Sequence, residues 1–82
     1  MTREEIFAKV IEIIRPFVKN QEALDSVNND TNILEDLKVN SARLVDIILD
    51  FEDAFQIEVE DEDADAVNTV GDAVRLIANR VS

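Results

Sequence analysis

The sequence predicts an all-α fold: a four-helix bundle of three main helices plus one short helix, with a long loop between helices 1 and 2. Three observations predict it. Three segments carry apolar residues at helical spacing. Turn chemistry is sparse, with one Gly (Gly71) and one Pro (Pro16) in 82 residues. Stretches that alternate apolar and polar residues, as half-buried strands do, are few. No repeat or low-complexity linker divides the chain, so residues 1–82 are expected to form a single domain. A domain of this size buries only about 60% of the surface its unfolded chain exposes, so its core must come from a few well-packed amphipathic elements.

The first helix opens on Thr2-Arg3-Glu4-Glu5, a capping-box pattern in which Thr2 and Glu5 satisfy each other's backbone N–H groups. Ile6, Val10, Ile13, Ile14 and Phe17 then form one stripe. Pro16 clashes inside a continuing helix, so this one ends or kinks near Arg15. Residues 19–40 are polar and irregular, with Asn20, Asn28, Asn29, Asp30 and Asn32 favouring turns. So long a loop needs anchors. Leu24, Val27, Ile33, Leu34 and Leu37 can supply them.

The second helix starts at Asn40 or Ser41, with Asn40 a good N-cap type, and runs to about Phe55. Leu44, Ile47, Ile48, Phe51 and Phe55 mark its core face, and Asp46, Asp50, Glu52 and Asp53 an acidic one. Between 57 and 68, Ile57 and Val59 serve as anchors and Asp61 to Val67 can form a turn or two of helix. The last helix opens at Thr69 with Asp72 three residues on, again a cap pattern. Its stripe is Val70, Ala73, Val74, Ile77 and Val81, with Arg75 and Arg80 toward its C-terminal half.

Composition excludes several classes. The chain has no Cys and no His, which removes disulfides, thiolate chemistry, Cys/His zinc sites and any Ser-His or Cys-His dyad. No apolar run approaches a membrane span. Met1-Thr2-Arg3-Glu4-Glu5 lacks the order of a signal peptide, so no membrane insertion is expected and the cytoplasm is the expected address. The Asn29-Asp30-Thr31 sequon is then a chance match. A net charge of −11 argues against nucleic acid and anionic membranes and favours partners with basic patches. That charge is uneven. Residues 30–72 hold fourteen of the nineteen acids but only Lys38 and Arg43 as bases, so the middle of the chain presents the acidic surface.

The stretch Asp30 to Ser41 is the informative one. It places a serine at a helix start, behind a loop and ahead of an acidic helix. Free N–H groups and the helix dipole favour an anionic group there. Ser41 is no catalytic nucleophile, because no His exists to take its proton and Lys38 and Arg43 are ordinarily protonated. Two readings stand on physics alone. Ser41 caps the helix, or it accepts a phosphodiester that another enzyme installs.

This order of elements, the Asp30–Ser41 stretch, the run Phe51-Glu52-Asp53-Ala54-Phe55-Gln56-Ile57-Glu58-Val59 through Asp61-Glu62-Asp63-Ala64, and Thr69-Val70-Gly71-Asp72-Ala73-Val74 resemble acyl carrier proteins of the free-standing, type II kind. The resemblance covers nearly the whole chain. It implies a non-catalytic carrier whose Ser41 receives 4′-phosphopantetheine from a transferase using coenzyme A and magnesium. The arm's thiol would hold an acyl group as a thioester for fatty-acid, polyketide or other specialised lipid enzymes. Asn40 and Ala42 would be the flanking motif. Asp46, Asp50, Glu52, Asp53 and Glu58, extended by the Asp61–Asp65 run, would meet basic patches on acyl-transferring or condensing enzymes, and Arg43 would belong to the same partner-binding surface while breaking its acidic run near the arm. The interior between helices would shelter the acyl chain, and carrier duty suits a monomer.

The sequence also departs from the family's pattern. Asn40-Ser41-Ala42 stands for the usual Asp-Ser-Leu, Lys38 for the usual Gly, and Arg43 for a common acid. These changes point to a specialised carrier with dedicated partners. Three rival readings compete with it. Asp61, Asp63, Asp65 and Asp72 match positions 1, 3, 5 and 12 of a calcium loop, but Ala66 replaces its Gly and no second loop follows. An aminoacyl or peptidyl carrier keeps the fold and changes the cargo. An unmodified adaptor would use the acidic surface alone.

Overall fold

The computed structural model describes residues 1–81; Ser82, the last residue of the expected domain, lies outside them. Four α-helices follow in order: α1 (Arg3–Ile14), α2 (Leu44–Phe55), α3 (Asp61–Asp65) and α4 (Val70–Val81). The stripes named from sequence are what fold them. Ile6, Val10 and Ile14 of α1, Ile47, Ile48, Phe51 and Phe55 of α2, and Val70, Ala73, Val74 and Ile77 of α4 are buried in one cluster. α1 packs on both α4 and α2 and is the central element. Ile13 and Phe17 reach the cluster only partly, whereas Ile11 is buried beside Val10.

Both capping boxes form. The Thr2 and Glu5 N–H groups donate 3.1 Å bonds to each other's side chains. At α4 the Asn68 and Thr69 N–H groups donate to Asp72 Oδ2, and the Asp72 N–H returns a bond to Thr69 Oγ1. The Thr69 N–H, then that of Asn68, holds the Asp72 carboxyl below its ordinary pKa. α1 stops where Pro16 requires: Arg15–Phe17 tighten into a 3-10 turn. Gln21 Nε2 then donates to the Val18 carbonyl and to that of Arg15, which also accepts the Val18 N–H.

The long connection from α1 to α2 is ordered. Gln21–Ser26 form 3-10 turns. Ile33 and Leu37 are buried as anchors, and Leu24, Val27 and Leu34 pack against the core. Val18, Val39 and Val67 are buried too, although no periodic stripe marks them. The connection is tied by backbone to the entrance of α4. The Ile33 N–H donates to Asn68 O at 2.9 Å, Val70 to Thr31 O at 3.0 Å, and Gly71 to Asn29 O at 2.9 Å. An isolated bridge pairs Asn32 with Thr69.

α3 lies on the connection from α2 to α4. Arg80 of α4 ion-pairs with Asp63 of α3 and donates through Nε to the Glu58 carbonyl. Among the described residues no helix is long and apolar enough to cross a membrane.

Gly71 explains itself through the same tie. A Cβ at this position would meet Asn29 O at 2.8 Å, a backbone atom that cannot swing away. Gly71→Ala is therefore expected to lower stability by about 1–3 kcal/mol in chemical denaturation, as overpacking does. In an unobstructed helix the same change gains about 1 kcal/mol, so an unchanged or raised midpoint would show that the loop does not press on α4.

Candidate functional site

Ser41 is exposed and opens a short 3-10 turn, Ser41–Arg43, that leads into α2. What fixes it is the segment just before. Leu37 and Val39 are both buried, so the chain between them must turn over within one residue. Lys38 takes that turn with φ of 58°, in the left-handed region. Hydrogen bonds clamp both sides: Leu37 N–H to Asn32 O, Val39 N–H to Ile33 O, and Asn20 N–H to Leu37 O. Asn20 Nδ2 adds a bond to Asp36 O at 3.3 Å.

Asn40 caps the turn. Its Oδ1 accepts from the Ala42 N–H at 2.9 Å and its carbonyl from Arg43 N–H at 2.8 Å. Leu44 N–H donates to Ser41 O. The expectation of free N–H groups beside Ser41 therefore needs correction. Those of Ala42, Arg43 and Leu44 already have partners, because the short side chain of Asn40 and the tight turn use them. An anion on Ser41 would draw little from them.

The other sequence-named residues fall into two groups. Arg43, Asp46, Asp50 and Asp53 lie along the outer face of α2, and Arg43 pairs with Asp46 at 3.2 Å. Glu52 and Glu58 lie elsewhere. Glu52 is half-buried and accepts the Val59 N–H at 3.1 Å, holding the next segment to α2. Glu58 lies past the far end of α2, roughly 18 Å along its axis from the serine end, beside Arg80. Ala42 is exposed next to Ser41.

The sequence reading missed Val45 and Leu49, which are 66% and 55% exposed on α2. They share the outer face with the Asp residues, so this face is apolar and acidic at once. A signal was present: two large apolar residues four apart, lying off the core stripe of Ile47, Ile48 and Phe51. They rim a cleft of about 120 Å³ between α2 and α3, with Leu44, Ile48, Val59 and Ala64 also on its wall. Asp61, Asp63 and Asp65 lie on α3, and Asp72 is taken up by the α4 cap. Among the described residues no group of three or more acidic side chains is placed to hold a metal.

The family model for a phosphopantetheine attachment site matches residues 5–77. The acyl carrier protein of Lactobacillus acidophilus is 40% identical over 77 residues, 94% of each chain. That of Thermotoga maritima is 38% identical over 80 residues, 98% of this chain and 96% of its own. A solved structure of the acyl carrier protein from Enterococcus faecalis superposes with a TM-score of 0.80 at 39% identity, covering 98% of this chain and 99% of that one. The chain belongs to the acyl carrier protein family, the phosphopantetheine-attachment class.

Lys38 is a departure with a measurable cost. A left-handed residue with a Cβ is disfavoured by about 1–2 kcal/mol, and glycine gives back some of that through its freer unfolded chain. Lys38→Gly is expected to raise stability by about 0.5–1 kcal/mol in urea unfolding, without moving Ser41. A loss of stability would mean that the Lys38 side chain makes a contact worth more than the strain.

Proposed function

We propose that this chain is a non-catalytic acyl carrier that holds acyl groups as thioesters on a 4′-phosphopantetheine arm attached to Ser41. The observation that carries the reading is the exposed hydroxyl of Ser41, held at one place by buried Leu37 and Val39, within the region the family model spans. Ser41 fits the arm: the residue is exposed to an approaching enzyme, and among the described residues no side chain forms a hydrogen bond with its hydroxyl. Its attachment would form an O–P bond to the phosphopantetheine half of coenzyme A and release the nucleotide half. The transferase supplies the base and the magnesium, since the chain has no His or Cys to activate its own serine. When attached, the arm supplies a thiol that the protein itself lacks.

The protein's own residues do the rest. Asp46, Asp50 and Asp53, with Val45 and Leu49, form a face on which a partner's basic patch gains both charge attraction and apolar burial. Such partners include the transferase and acyl-transferring or condensing enzymes. Glu52 serves the fold before any partner, given its bond to Val59. The cleft between α2 and α3 offers an acyl chain an apolar entry. Lys38, Asn40, Ala42 and Arg43 fit a carrier with dedicated partners, because a partner built for Asp-Ser-Leu would meet neither the charge nor the apolar contact it expects. The carrier acts as a monomer in the cytoplasm.

Intact mass spectrometry tests the attachment. Incubated with coenzyme A, magnesium and a broad phosphopantetheinyl transferase, the parent chain should gain one phosphopantetheine and Ser41→Ala none. Equal gain by both chains would move the arm elsewhere. A parent chain that stays bare with this enzyme and in its native cell would leave an unmodified acidic adaptor.

A further inference from the structure

The N–H groups of Ala42, Arg43 and Leu44 are occupied, and the protein as a whole is strongly negative. An anionic group on Ser41 needs positive charge from elsewhere. One place near the serine offers it. A hollow of about 580 Å³ between the end of α1 and the start of α2 is lined by Pro16, Phe17, Val18, Lys19, Asn40 and Arg43. Lys19 and Arg43 are 24 positions apart in sequence, and the fold brings them to the two sides of this hollow. The Asn20–Leu37 backbone bond is what draws the 18–20 segment up to the segment before Ser41.

We propose that this hollow holds the phosphodiester at the root of the arm, with Lys19 Nζ and the Arg43 guanidinium as its cationic partners. The inference rests on the Ser41 attachment proposed above. Among the described residues Lys19 has no ion pair, and its side chain is exposed. Arg43 is paired with Asp46, but both side chains are about half exposed or more, and such a pair holds weakly in water. A phosphodiester offers Arg43 two non-bridging oxygens for a bidentate pair in place of that partner, and the Lys19 ammonium can meet the same negative charge as a point charge. The nearby acids do not fill the hollow. Asp36 accepts the Asn32 N–H, and Asp46 lies one turn further along α2. Held this way, the first bonds of the arm lie over the hollow beside the end of α1. Arg43 then has a role for which an acid at the same position would be unsuited.

Phosphorus-31 relaxation of the loaded protein tests this. Intact mass first establishes that the arm is attached, so a failure of attachment is seen separately from a failure of the inference. At low ionic strength the phosphorus of the parent should relax with the whole molecule. In the Lys19→Gln/Arg43→Gln double variant its transverse rate should fall by about twofold or more, as the phosphodiester gains fast local motion. Salt at about 1 M, where screening acts within about 3 Å, should bring the parent to the variant's rate. Lys38→Gln removes an exposed base close by that does not line the hollow, and should leave the rate unchanged. Equal rates in loaded parent and double variant would overturn the inference. So would a drop in Lys38→Gln as large as in the double variant, since the effect would then be the general field and not a contact.

Discussion

The structure depends on a backbone tie between the long first connection and the entrance of α4. Three N–H groups, those of Ile33, Val70 and Gly71, cross between residues 29–33 and 68–71. Nothing in this tie is a side chain, so its cost and strength are those of strand-like pairing, with Gly71 there because a Cβ would strike Asn29 O. Once Ile33 is fixed, Leu37 and Val39 can bury on the same core, and the chain must reverse at Lys38. Ser41 follows three residues later. Its position is thus set from the far side of the molecule, through α4, and only finally by the α2 turn that it opens.

Charge and packing divide the labour. α1 and α4 hold the core together and carry four of the eight basic residues, while the middle of the chain carries most of the acids. The acidic residues that the fold uses for itself are few: Glu5 and Asp72 in caps, Glu52 at the Val59 N–H, Asp36 at the Asn32 N–H and Asp63 with Arg80. Asp46, Asp50 and Asp53 remain on the surface of α2 beside Val45 and Leu49. Like charges gathered on a helix destabilise it, and apolar side chains gain nothing from facing water. A surface with both features gains energy only when covered by a partner of opposite charge.

Much of this was legible in the sequence. The three stripes, both capping boxes and the stop at Pro16 follow from local rules, and the residues that obey them are the ones that pack. Burial of Val18, Val39 and Val67 was not legible, because each sits alone in an irregular segment where no period exists to place it. The occupied N–H groups at Ser41 depend on a cap geometry that Asn40 alone does not announce. The exposure of Val45 and Leu49 could have been read from their place off the core stripe. The placing of Lys19 and Arg43 around one hollow could not, since it follows a tertiary hydrogen bond at Asn20.

Native-state hydrogen exchange at the amides of Ile33, Val70 and Gly71 tests the pinning of the connection most directly. If the tie holds Ser41 in place, these three amides exchange only through global unfolding, at the same slow rate as the central amides of α1 and α4. If they exchange at the rate of an open loop while α1 and α4 stay protected, the connection moves freely, and the serine is positioned by its own turn alone.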